Sequence, residues 1–153
     1  SHAHPEPVYH TPHFDVHFYM ISRPEKAGML SGSQEMSVLP ATAFMPVTYF
    51  SPETAGVSQM GRHWLDINSP ELMPGGPPFT TTMAMGSYNG KVVFWEPMIT
   101  KDYLLTQPDT TMHIQQPLSF EKQRLYPTAY SIRFDRQQQQ YTVFLSGFTY
   151  RKS

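Results

Sequence analysis

Polar and apolar residues alternate over residues 13–18, which read His-Phe-Asp-Val-His-Phe. A period of two predicts a strand, with His13, Asp15 and His17 on one face and Phe14, Val16 and Phe18 on the other. Ser22 and Glu25 then stand at capping-box spacing with Pro24 in the first turn. That pattern predicts a short helix of about two turns, ending near Gly32. Short strands are predicted over 47–50 and 61–66. Residues 68–78 hold four prolines and two glycines, a composition that makes a loop.

The clearest local prediction is a hairpin, because 79–88 and 91–97 flank Asn89-Gly90, the dipeptide that best suits a two-residue turn. Such a turn pairs Tyr88 with Lys91. Counting outward without interruption pairs Gly86 with Val93 and Met85 with Phe94. In that register Met83, Met85, Phe94 and Glu96 share a face, and the Glu96 carboxylate on it needs a partner or water. Thr100 is placed to cap a short helix over 101–106. Weaker strands are predicted over 110–116 and 119–125. Residues 128–135 and 141–150 form a second hairpin, turning at Arg136 and four glutamines. The sum is an all-β chain, a mostly antiparallel β-barrel or sandwich of about seven to nine short strands with one or two short helices. Residues 1–12, with three prolines and three histidines, read as an extended arm before a single domain over 13–153.

Composition narrows this picture. Fifteen prolines and nine glycines argue against a helical bundle, since both break helix interiors. A net charge of −1 with only 15% charged residues argues against a disordered polyelectrolyte and against nucleic acid as a partner. No apolar run approaches the ~20 residues of a transmembrane helix. The absence of cysteine excludes disulfides, thiol nucleophiles and thiolate-bound metals. Charge is uneven along the chain: residues 1–118 carry five basic and ten acidic side chains, and residues 119–153 carry six and two. The simplest reading is complementary packing. The alternative is a basic surface for an anionic partner.

Histidine and glutamate supply the candidate chemistry. His13, His17, His63 and Glu96 are the candidate ligands of a divalent transition metal such as Zn, Mn, Fe or Cu, as in a cupin-like barrel, with Asp15 and Tyr19 in support. The spacing limits which of them act together. Residues i and i+4 of a flat strand share a face but lie roughly 13 Å apart, so His13 and His17 cannot easily bind one ion. A bulge, a helical turn, or binding by only one of the two would resolve this. His63, between Arg62 and Trp64, reads more readily as a packed, half-buried side chain than as a ligand. His113 reads as an ordinary strand residue, and His2, His4 and His10 as solvated arm residues. The ten methionines are spread out and read as core filler. No phosphate-binding glycine loop, G-x-S-x-G elbow or H-E-x-x-H motif is present.

Three segments carry a family resemblance: residues 13–19 (His-Phe-Asp-Val-His-Phe-Tyr), 60–64 (Met-Gly-Arg-His-Trp) and 86–100, which begin Gly-Ser-Tyr-Asn-Gly-Lys. Over about residues 8–105 the chain resembles a bacterial domain-of-unknown-function family, known from a sigma-factor-controlled oligomeric protein of a thermophile. The resemblance implies an extracytoplasmic, periplasmic or secreted, β-barrel that self-associates into a homo-oligomer, with no established activity. Its members often carry a further N-terminal β segment and a signal sequence, so it also implies that this chain is a processed or truncated form. The family's polar positions fall on His13, Asp15, His17, His63 and Glu96.

Overall fold

The computed structural model of the protein describes residues 8–52 and 55–153. They form eleven strands and three short helices. The large sheet contains β1 (His13–Asp15), β2 (Phe18–Tyr19), β3 (Tyr49–Phe50), β4 (Arg62–Asp66), β5 (Thr81–Tyr88) and β6 (Lys91–Thr100). Its order is β1-β6-β5-β4-β3, with β2 also paired to β6. A three-stranded sheet runs β10 (Gln140–Ser146), β9 (Ala129–Asp135), β7 (Asp109–His113), and β11 (Thr149–Arg151) pairs with β8 (Arg124–Tyr126). All pairings between these strands are antiparallel. These ladders do not close into a ring, since β1 and β3 are ends of an open sheet. Of the two expected architectures, the layered one fits and the closed barrel is not formed.

The layers are defined by their contacts. One face of the large sheet presents Met83, Met85, Trp95 and Ile99 to Ile114, Tyr126, Tyr130 and Ile132 of the C-terminal third. On the opposite face, Leu65, Ala84 and Met98 lie under Tyr9, and Val93 and Phe94 lie under Met29. β5 and β6 are therefore covered on both sides, which is why nearly all their residues are buried.

Strands outnumber the expected seven to nine because single runs are interrupted. The run over 13–21 splits where Val16 lies opposite Pro97. The Val16 N–H donates to the Pro97 carbonyl at 3.0 Å, but proline has no N–H to return the bond. The register does not slip across the gap: Phe14 pairs with Ile99, Phe18 with Trp95, and the Met20 N–H reaches the Val93 carbonyl at 2.8 Å. At the other end of the chain the strand expected over 141–150 stops at Ser146. Gly147 sits at φ 62°, turning the chain so that β11 joins β8 instead.

The central hairpin forms as predicted at its turn, with Asn89 and Gly90 at φ 49° and 74° and Tyr88 opposite Lys91. Its register beyond the turn is corrected. A bulge between Gly86 and Ser87 pairs Gly86 with Phe94, Met85 with Trp95 and Ala84 with Glu96. The extra residue moves Phe94 and Glu96 to the face opposite Met83 and Met85. The Phe94 ring lies over Gly86: a Cβ there would stand 2.0 Å from Phe94 Cε1.

The helices follow their caps. α1 (Arg23–Ala27) has both halves of the Ser22–Glu25 capping box. It is shorter than expected, closing at Gly28, and α2 (Gln34–Ser37) is a separate turn. α3 (Lys101–Leu105) starts where Thr100 Oγ1 accepts the Tyr103 N–H at 3.2 Å. Of the expected extended arm, residues 1–7 lie outside the described residues. Val8–His10 is a 3-10 turn, and Tyr9 is buried, its ring 4.9 Å edge-on to Phe79 and its hydroxyl donating to Glu71 at 3.1 Å.

Candidate metal centre

The unbroken β1–β2 register places His17 opposite Glu96. The neighbouring Val16–Pro97 pair shares the backbone hydrogen bond, so His17 and Glu96 form the non-hydrogen-bonded kind of pair, in which side chains stand closer. His17 Nε2 lies 3.2 Å from Glu96 Oε1. His63 comes from the other side of the hairpin: it pairs with Gly86, which pairs with Phe94. A whole strand, β5, separates His63 from β6. It spans that strand because the positions in between are Ala84 and Gly86, which fill almost no space above the sheet. His63 Nε2 then lies 3.6 Å from Glu96 Oε2. One ligand atom from each of His17, His63 and Glu96 falls within 4.8 Å of the others. Among the described residues no other group of three or more His, Asp or Glu does so.

Aromatic rings complete the surroundings. Phe94 packs edge-on against both imidazoles, with centroids 4.8 Å from His17 and 5.6 Å from His63. Tyr19 stacks on His17 at 5.8 Å with a 12° interplanar angle, and its hydroxyl donates to the Gln59 carbonyl at 2.8 Å. Burial, and secondarily the charge of Glu96, push the Tyr19 hydroxyl up to about 12, so it stays a neutral donor. His63 and Glu96 are each 1% exposed, whereas His17 is 16% exposed and forms the open side.

Electrostatics favour neutral imidazole at His17. Burial, followed by the neighbouring His63, lowers its pKa below the usual histidine value, against an opposite pull from Asp15. Neutral imidazole and carboxylate are the ligating forms of these groups. His17 Nε2 is buried and makes no hydrogen bond despite its 3.2 Å approach to Glu96. Two ligands of a tetrahedral ion, each ~2.1 Å from it, lie roughly 3.4 Å apart. His17 Nε2 is 3.2 Å from Glu96 Oε1 and His63 Nε2 is 3.6 Å from Glu96 Oε2, so each imidazole stands near that distance from one oxygen of the carboxylate. The donor set therefore suits a divalent metal in both chemistry and spacing.

The other candidates separate cleanly. His13, expected among the ligands, is corrected: it stands apart from this group, because no bulge or helical turn shortens the strand between it and His17. Its Nε2 lies 3.1 Å from Asp15 Oδ1, its Nδ1 is 2.7 Å from the Thr11 carbonyl, and its ring meets the edge of Phe79. Asp15 thus serves His13 through its side chain, while its backbone hydrogen-bonds His17. His113 is an exposed strand residue, as expected. Sequence reasoning missed Ala84, Gly86 and Phe94, which make the space and the floor. Glycine inside a strand next to an aromatic partner was the available signal. Comparison of the chain with family models, curated proteins and solved structures finds no match.

Proposed function

We propose that this chain is a metal protein in which His17, His63 and Glu96 hold one divalent transition ion, zinc, manganese, iron or copper. The observation that carries this reading is the convergence of three ligand atoms within 4.8 Å, with His17 Nε2 buried and lacking any hydrogen bond. Two further points support it. Three protein ligands are the number found in catalytic zinc sites, which keep a position for water or substrate. Two histidines and one carboxylate are also the set used by non-haem iron enzymes. Access is from the side of His17, the partly exposed member. A metal there would supply Lewis acidity or a water activated for attack near neutral pH. The extracytoplasmic location and homo-oligomeric state belong to the same proposal, supported by the family resemblance alone.

A second reading has its own observation. Glu96 contacts histidines on both sides, at 3.2 and 3.6 Å, and could tie β2, β6 and β4 together without a metal. Elemental analysis by mass spectrometry separates the two, on protein purified without chelator or nickel resin. The metal reading expects about one equivalent per chain, lost in Glu96→Gln. Metal far below stoichiometry, with no uptake of added Zn, Mn, Fe or Cu, would leave the purely structural network.

A further inference from the structure

The partly exposed ligand of the candidate metal centre is His17, at 16% against 1% for His63 and Glu96. The Tyr19 ring lies nearly parallel to its imidazole, at 12° and 5.8 Å. Over that same ring stands the Lys26 ammonium, 4.3 Å from the centroid. Its charge reaches the site, where it is one of the influences that disfavour a protonated His17. A helix, not a loop, carries this cation: Lys26 lies in α1, whose start is fixed by the Ser22–Glu25 capping box. The Tyr19 ring beneath it packs, with Ile21 and Met60, on Met29, Val93 and Phe94. An ammonium above an apolar surface keeps more of its attraction for an anion than one surrounded by water.

Lys26 takes part in none of the ion pairs among the described residues, which involve His13, His17, His63 and Arg133. Its neighbour Glu25 is turned back onto Ser22, accepting from the Ser22 N–H at 2.8 Å and the Ser22 hydroxyl at 2.7 Å. Asp15, the acid whose charge also acts on His17, faces His13 Nε2 at 3.1 Å. A protonated lysine has no lone pair for a metal, but it can hold an anion that has one. The charges point the same way. A divalent ion held by one carboxylate and two neutral imidazoles keeps one positive charge, and Lys26 adds a second nearby. We infer that the ligand taken on the His17 side of the centre is a small oxyanion, a carboxylate or a phosphate, whose negative charge is met by Lys26. The inference rests on the metal reading, since the ion and the ammonium act on the ligand together. Within it, Lys26 determines which substrates the site accepts: anions are favoured over neutral molecules of the same shape.

The test uses cobalt(II), whose visible absorption reports its ligands. Cobalt is first titrated into the wild type and Glu96→Gln, with uptake expected in the wild type alone. No uptake by the wild type removes the metal reading and this inference with it; every later step bears on the inference alone. Acetate and inorganic phosphate are then titrated separately into the cobalt-loaded protein, with acetamide as the neutral counterpart of acetate. A saturable spectral change is expected from an anion, and the tighter of the two names the class. Lys26→Met should still take up cobalt but bind that anion roughly tenfold more weakly, the size of one partly screened charge interaction. Lys26→Arg should bind it nearly as the wild type does, and acetamide should respond alike in all three. Arg136→Gln removes a positive charge at the turn between β9 and β10 and should change nothing, which separates a local effect from one of net charge. Lys26→Gln repeats the measurement should the methionine variant fail to fold. Equal anion affinity in the wild type and the folded Lys26 variants, an equal loss in Arg136→Gln, or no saturable response to either anion would each overturn the inference.

Discussion

His13 and His17 face the same way from one edge of the large sheet, and each meets a carboxylate at nearly the same distance. His13 Nε2 is 3.1 Å from Asp15 Oδ1, and His17 Nε2 is 3.2 Å from Glu96 Oε1. The surroundings differ. The Asp15 side chain is 36% exposed and lies on the same strand as its histidine, itself 11% exposed, so water and salt reach this pair through the carboxylate. Glu96 is 1% exposed, sits on a central strand, and is shared with a histidine from the far side of β5. Exposed ion pairs contribute about 0–1 kcal/mol. In a buried pair, removing one member leaves the other without water or partner. The same two functional groups thus make a surface contact in one place and a candidate metal centre four residues on.

The largest break in this comparison is at Glu96. Glu96→Ala is expected to cost about 3 kcal/mol of stability, because the buried His63 imidazole loses this contact and a large buried side chain is removed. It should also abolish metal binding, whereas Asp15→Ala should leave the metal content unchanged. Urea unfolding and elemental analysis read the two effects. A Glu96→Ala protein that retains its metal would remove Glu96 from the ligand set.

Next in size is Gly86→Ala. The added methyl group would sit 2.0 Å from Phe94 Cε1, so the ring must move, at an expected cost of about 1–3 kcal/mol. Because Phe94 is packed against both His17 and His63, metal affinity should fall along with stability. Loss of stability with full metal affinity would show that Phe94 does not position the imidazoles.

These two positions also mark what the sequence could and could not convey. Polar residues alternating with apolar ones singled out His17, a carboxylate on an apolar strand face singled out Glu96, and strand spacing argued against His13 and His17 sharing one ion, although His13 stayed among the candidate ligands. Asn89-Gly90, the Ser22–Glu25 box and Thr100 are local codes, and the turn and two helix starts they specify are present. The bulge at Gly86 is not a local code. It depends on the Phe94 ring settling over a position with no side chain, which becomes visible only once the strands are packed. That one residue of slip decides which face Glu96 occupies and therefore which histidines it meets. The pairing of β11 with β8 escaped for a related reason: the run over 141–150 looks continuous, and Gly147 at positive φ breaks it.

A smaller effect is expected from pH. Burial and His63 hold the His17 imidazole below the ordinary histidine range, outweighing the opposite pull of Asp15. The unfolded chain therefore binds a proton at this residue more readily than the folded chain does. Stability from this source is fully present above the unfolded value of about 6.5 and declines as pH falls below it, toward the lowered folded value. Lys26 over the Tyr19 ring at 4.3 Å disfavours the charged form too. With chelator present, urea midpoints followed from neutral to mildly acidic pH should fall more steeply in the wild type than in His17→Gln. Identical slopes would mean that His17 titrates alike in the folded and unfolded chain.

The smallest effect is expected from the other half of the comparison. His13→Ala removes an imidazole whose partners are an exposed carboxylate, the Thr11 carbonyl and the edge of Phe79. None of these is left both buried and charged, so the cost should stay near or below about 1 kcal/mol. Metal content should not change at all, because a residue four positions along the same edge is roughly 13 Å distant along the backbone. The measurement is the same pair of urea midpoint and metal content, with His17→Ala run beside it. A variant at His13 that lost metal as His17→Ala does would mean that this edge of the sheet rearranges on binding to bring both histidines to the ion. The distinction between the rim pair and the buried one would then describe only the metal-free state.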